Sequence, residues 1–287
     1  MVKTFLPLSV FYQFQNVLPS IFFHSIIKYN VLLPVKYIGS PSCLFEGNNL
    51  RILFLDKPVS FVGVVHGGFY GEFKVNYEED YENNFSDQYF YWGLGSYNIR
   101  QNRFAILSPS HRKPVRIVLV GTVGLNHYTS SYCPSLKIIH KQADLQIPIL
   151  QDKFNKIAKY YFLQHPKSPS ATSKFVCNIF LSQMSESHIH SSLFIIDRPG
   201  NTFLYRAIYQ SIPFVIFFNR SWRSYLTPAF NDLLDFMQCI NLVFFWDQQD
   251  EFIEHIRFCL SSNGFNGDAF TYIQQYLEHN EKARHFL

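Results

Sequence analysis

The sequence is short of charge. Asp, Glu, Lys and Arg make up 16% of its 287 residues and leave a net charge of only +4, against about a quarter charged in an ordinary soluble domain. An excess that small and that dispersed does not read as a nucleic-acid groove, which works by neutralising many phosphates. Cysteine is scarce as well. Cys43, Cys133, Cys177, Cys239 and Cys259 are an odd number of widely spaced residues with no CxxC or Cys/His ligand spacing. That pattern argues against a disulfide framework, for a reducing compartment, and for thiols that serve as small core hydrophobes. A long apolar run is also missing. The stretch from Phe5 to Ile27 is interrupted by Gln13, Gln15, Asn16, Pro19 and His24, so it falls short of the roughly 18 apolar residues of a membrane span. Lys3 precedes it, but no small-residue cleavage site follows, so a signal peptide is not the reading either. The segment reads as a core helix or a packing surface. There is no GxSxG, Walker loop, GxGxxG, HExxH or EF-hand loop, which removes the commonest hydrolase, nucleotide-loop, zinc and calcium readings.

What the chain does have is aromatic mass. Phe (31) and Tyr (18) supply most of an 18% aromatic content, and 47% of the residues are hydrophobic. A large folded core is expected, and general disorder is not. The length allows one large domain or two ordinary ones. The polar stretch Asn98 to Lys113, carrying Arg100, Arg103, His111 and Arg112, reads as the linker. The expected division is residues 1–110, of which 1–33 are apolar and hard to place, and residues 111–287.

The second half alternates strand and helix. Val115 to Gly121 reads as an opening strand, and Pro148 to Gln164 as a helix with Ile149, Leu150, Phe154, Ile157, Ala158 and Tyr161 on one face. Then come a strand Leu193 to Asp197, a helix Phe203 to Gln210, a strand Pro213 to Phe218, and a helix Ala229 to Cys239. A strand Leu242 to Trp246 and helices Gln249 to Leu260 and Asp268 to Arg284 complete the chain. Short connections between alternating elements predict an α/β fold with a doubly wound parallel sheet. In the first half, Lys36 to Ile38, Val59 to Val65 and Gln88 to Trp92 read as strands, and Asn48 to Leu55 as a short helix.

Ligands of such sheets bind at the carboxyl ends of strands, and two strand-end clusters carry chemistry. In Asp197-Arg198-Pro199-Gly200-Asn201-Thr202 a strand ends and a helix opens. The free N–H groups and dipole of a helix start suit a phosphate or diphosphate. Gly200 lets the backbone approach without a Cβ, and Arg198 adds charge and bidentate bonds. The competing assignment makes Asn201 or Thr202 a simple helix cap and Arg198 a surface charge. In His66-Gly67-Gly68-Phe69-Tyr70-Gly71 a histidine stands at a strand end, with Glu79, Asp80 and Tyr81 downstream. It is placed for proton transfer, oriented by a carboxylate. The competing assignment is a structural histidine followed by a solvated acidic loop. His188-Ile189-His190 would put two imidazoles on one face of a strand, but no third metal ligand can be named.

These two clusters also carry a resemblance. His66 to Gly71, then Glu79-Asp80-Tyr81-Glu82, then Ser86-Asp87-Gln88-Tyr89-Phe90-Tyr91-Trp92-Gly93 is similar to the "QHGGxYG…E…E…SDxxxxWGW" block of a family of bacterial transferases for surface carbohydrate. Asp197 to Leu204, followed by Ile212 to Phe218, resembles the "RPGNTFLE…xxPtIiFw" block of the same family. The resemblance spans roughly residues 35 to 260. It implies a GT-B-like glycosyltransferase fold of two Rossmann-like domains facing a cleft. Arg198, Gly200, Asn201 and Thr202 would then lie near the donor phosphates, and His66, Gly67, Gly68 and Tyr70 would face the cleft. Three departures stand out. Tyr205 takes the place of a family Glu. Phe218-Asn219-Arg220-Ser221 stands where an aromatic-Asp-Pro-like sequence is expected. Family members are longer, so the first part reads as a truncated Rossmann-like domain.

The expected activity is transfer of a nucleotide-activated sugar, or a related group, to a surface-carbohydrate acceptor. His66 is the base, Glu79 or Asp80 orients it, and no metal or cofactor takes part. The alternative is a non-catalytic remnant that binds a partner chain, such as the missing N-terminal half. The expected setting is cytoplasmic, and the apolar start with Lys3 and Lys28 suggests contact with the inner membrane face.

Overall fold

A computed structural model of the chain describes residues 37–40, 60–64, 70–90, 113–120, 150, 152–163, 178–179, 184–261 and 268–284. Two compact units emerge. The first comprises Met1–His66 and Glu78–Phe90, the second Gly67–Tyr77 and Tyr91–Leu287. The expected helix at Asn48 to Leu55 and most of the expected linker lie outside the described residues.

In the first unit, strands β1 (Tyr37–Ser40), β2 (Ser60–Val64) and β3 (Gln88–Phe90) form a parallel sheet in that order. Helix α1 (Tyr77–Phe85) leads into β3. The acidic segment is therefore a helix rather than a loop. Asn83 and Asn84 lie on its exposed side, whereas Glu82 is buried.

The second unit is built on a six-stranded, wholly parallel sheet. Its strands are β4 (Arg116–Val120), β5 (Lys159–Leu163), β6 (Asn178–Ile179), β7 (Ser192–Ile196), β8 (Phe214–Phe218) and β9 (Val243–Phe245). Their spatial order is β6-β5-β4-β7-β8-β9. The chain thus starts in the middle, winds outward through β5 and β6, returns to the other side of β4, and winds outward again. This is the 3-2-1-4-5-6 order of doubly wound sheets.

Alternating residues face opposite sides, as the pleat requires. Val118, Val120, Phe194, Ile196, Phe214, Ile216 and Phe218 face one side. That side is covered by α2 (Glu186–His190), α3 (Thr202–Tyr209), α4 (Pro228–Cys239) and α6 (Asp268–Arg284). Ile117, Leu119, Leu193, Ile195, Val215 and Phe217 face the other side, against α5 (Gln249–Ser261) and the helical turn carrying Leu150 and Phe154. Burial on both faces explains why the strands read as continuous apolar runs. The helices have ordinary starts. Asn201 caps α3 by accepting from Phe203 N–H at 3.0 Å. Thr227 caps α4 by accepting from Phe230 N–H at 3.2 Å, with Pro228 in the first turn.

Two expected elements change. The helix expected over Pro148 to Gln164 keeps only its first part, around residues 150–155, and Lys159–Leu163 is β5. Tyr160 and Phe162 face one side, Tyr161 and Leu163 the other, and all pair in register with β4. The period-two pattern of a paired strand overrides the helical spacing that precedes it. His188-Ile189-His190 lies in α2, not on a strand, because Ser185 caps a helical turn by accepting from His188 N–H.

The aromatic content becomes core. Phe252 on α5 stacks on Phe217 of β8, with centroids 4.1 Å apart and planes within 9°, and also contacts Phe154 and Phe244. Truncating so central a ring leaves a cavity. Phe252→Ala is expected to lower stability by about 3–5 kcal/mol, read from urea unfolding. The double-mutant cycle with Phe217→Ala is expected to show coupling of about 0.5–1.5 kcal/mol.

Candidate functional site

In the second unit, winding reverses between β4 and β7. The helical turn carrying Leu150 and Phe154 packs on one face of the sheet and α3 on the other, the arrangement in which doubly wound sheets bind ligands beyond the carboxyl ends of the strands at the reversal. The turn 197–201 leaves β7 at that point and delivers the chain to α3. The expected phosphate cluster therefore sits where a doubly wound sheet binds ligands.

The residues of the turn are placed as follows. Arg198 is 8% exposed and Pro199 is buried, whereas Asp197, Gly200, Asn201 and Thr202 are half-buried. Gly200 has φ 79°, where a residue with a Cβ would pay about 1–2 kcal/mol. Asn201 is the N-cap of α3. Its Oδ1 is occupied by that cap.

A residue that the motifs did not single out completes the turn. The Gly200 N–H donates to Glu72 Oε2 at 2.6 Å, across 128 residues of sequence. Glu72 is 0% exposed. A buried carboxylate must be hydrogen-bonded, and the amide of Gly200, one residue before the N-cap Asn201, supplies a donor. The acceptor at this amide is thus the chain's own side chain.

Glu72 is held in place by its neighbours. Gly71, at φ 73°, accepts from Thr227 Oγ1–H at 2.9 Å. The Glu72 carbonyl accepts from Thr227 N–H at 2.8 Å, and Lys74 N–H donates to the Tyr225 carbonyl at 2.9 Å. Phe73 forms an antiparallel bridge with Leu226 and meets Trp222 edge to face at 6.1 Å. The segment 71–74 is a strap laid against the turn between the 3₁₀ segment Arg220–Tyr225 and α4. In the sequence Glu72 directly follows Gly71, between Tyr70 and Phe73, with no spacing that ties it to Gly200.

Other expected site residues fall as follows. His66, Gly67 and Gly68 lie outside the described residues. Tyr70 is buried in the second unit. Glu79 and Asp80 are on α1, half-buried and exposed respectively. Tyr205, at the position of the family Glu, is 1% exposed. It belongs to the buried side of α3. At the neighbouring strand ends, Arg220 lies over the Phe245 ring at 4.0 Å and pairs with Asp247 at 3.2 Å.

Among the described residues, no three His, Cys, Asp or Glu side chains gather where they could hold a metal ion. One pair mimics a nucleophile and base. Cys259 Sγ and His255 Nε2 are 3.3 Å apart on α5. Burial pushes the thiol up to about 12 and pulls the imidazole below its ordinary value. Both shifts favour the neutral forms, the reverse of an activated thiolate and imidazolium. Native protein treated with iodoacetamide at pH 8 is therefore expected to be alkylated at exposed Cys239 well before Cys259. Mass spectrometry of the digested protein reads the order, and rapid modification of Cys259 would show that burial does not protect it.

No curated protein and no solved structure matches the chain. The model of the LIC12162 family transferase matches residues 1–249. That match covers the first unit, the strap, the turn 197–201 and the sheet through β9. The chain belongs to the LIC12162 transferase family.

Proposed function

We propose that the chain is a glycosyltransferase of GT-B type, moving a nucleotide-activated sugar or a related group onto a surface-carbohydrate acceptor in the bacterial cytoplasm. The observation that carries this reading is the turn 197–201, which leaves β7 beside the point where the sheet reverses its winding. Family membership supplies the reaction class, group transfer.

The donor diphosphate rests against the start of α3. Arg198 supplies positive charge, Asn201 and Thr202 supply side-chain donors, and Gly200 supplies closeness. The Gly200 amide is engaged by Glu72, so its contribution is the missing Cβ rather than its N–H. His66 takes the proton of the acceptor hydroxyl, oriented by Glu79 or Asp80. The new bond forms between the acceptor oxygen and the sugar as the sugar–phosphate bond breaks. The electron pair leaves on the nucleoside diphosphate, where Arg198 and the helix dipole offset the growing charge. No metal or cofactor is assigned a role in this scheme.

Ligand binding to the native state raises apparent stability. Uridine, guanosine and cytidine diphosphates at millimolar concentration are each tested by thermal shift, and at least one is expected to raise the melting temperature. A chain unmoved by the whole panel would instead be the non-catalytic binding module. With a donor in hand, Arg198→Ala and His66→Ala are each expected to lower turnover by about a hundred- to a thousandfold. Transfer unchanged in both variants would remove these roles.

A further inference from the structure

We infer that Glu72 is a positioning residue: its buried carboxylate clamps the turn 198–201 in the shape that meets a phosphate-bearing ligand. The inference rests on the donor-phosphate reading for its purpose, but the clamp itself is read from the turn.

Four observations carry it. The Glu72 carboxylate is fully enclosed, so it is not a group that solvent or an acceptor reaches. Its contact with Gly200 is short, at 2.6 Å, against about 2.9–3.0 Å for an ordinary N–H···O bond. The amide it holds belongs to a residue at φ 79°, a conformation that glycine leaves readily in the absence of a restraint. The clamp also has a fixed base, because Thr227 and Tyr225 hold the backbone at Gly71, Glu72 and Lys74. Gly200, Asn201 and Thr202 remain half-exposed on the turn. The carboxylate thus grips the turn from the interior and leaves its outer side for a ligand. The strap and the turn are 128 residues apart in sequence, so the shape of the turn depends on a segment outside the sheet.

The test compares Glu72→Ala and Glu72→Gln with the parent in the full chain by amide hydrogen exchange. Losing this hydrogen bond is expected to speed exchange at Gly200 by roughly ten- to a hundredfold in Glu72→Ala. Glu72→Gln keeps an uncharged acceptor and is expected to recover part of the protection. Amides of Leu193 to Ile196 in the same sheet serve as the control and are expected to keep their rates. Unchanged exchange at Gly200, or an equal rise across the sheet, would overturn the clamp. Should Glu72→Ala fail to fold, Glu72→Gln decides alone, with faster Gly200 exchange supporting the clamp and parental exchange overturning it.

A second arm measures affinity for inorganic pyrophosphate by calorimetry, well below every melting temperature. Affinity is expected to fall about tenfold in Glu72→Ala, a loss within the range for one such bond, and to recover in part in Glu72→Gln. Parental affinity in Glu72→Ala would overturn the positioning role. If the parent itself binds neither pyrophosphate nor any nucleoside diphosphate, the donor reading fails, and Gly200 exchange still decides the clamp.

Discussion

A parallel sheet buried on both faces must be covered on both faces, and this requirement shapes the second unit. Every residue of β7 is buried, as is every residue of β8. A connection between neighbouring parallel strands is right-handed and crosses on one face only. Covering both faces therefore requires the chain to wind in both directions from its first strand. β4 is that strand, and β7 is where the second direction begins. The reversal of winding and the helix start beside it come with the architecture.

A helix start of this kind needs a defined backbone, and a turn of Arg, Pro and Gly does not define itself. The Pro199 ring fixes one dihedral, but Gly200 is free to adopt several conformations. The interior supplies the restraint through Glu72, anchored by a strap that Thr227 holds at two points. Thr227 also caps α4 with the same side chain. One threonine thus links the start of a core helix, the strap and, through Glu72, the turn 197–201. Burying a carboxylate in a core rich in Phe is costly unless its bonds are made. The Gly200 amide, one residue before the N-cap of α3, supplies one of them.

Much of the sheet was legible in the sequence. β4, β7, β8 and β9 are apolar runs bounded by turn residues, and the last four helices begin and end within a residue of the bounds read from the sequence. The alternation predicted a doubly wound parallel sheet, and the strand order matches it. β5 was not legible, because Ile149, Leu150, Phe154 and Ile157 set a helical rhythm that Tyr161 happens to continue. Only pairing with β4 tells Tyr160 from Tyr161. The position of the turn 197–201 at a strand end was legible too, since glycine and proline punctuate the chain. The partner of Gly200 was not. A contact spanning 128 residues leaves no local spacing to detect, and Glu72 was overshadowed by His66 and the glycines before it. His188 and His190, a pair for which the sequence offered no third metal ligand, lie in a capped helical turn rather than on a strand.

Tyr205, which the resemblance sets where an acidic residue is expected, bears on how this chain would recognise a donor under the proposed reading. α3 turns Phe203, Leu204, Tyr205, Ala207 and Ile208 inward, and Tyr205 is among the largest fully buried side chains. A glutamate in that environment would need a charged or hydrogen-bonding partner to remain ionised, whereas a phenol ring fills the space with apolar surface. Position 205 in this chain is thus committed to packing. Under the proposed reading, an acidic contact to sugar hydroxyls does not come from position 205. Glu72, the carboxylate that does reach the turn, is spent on the Gly200 amide.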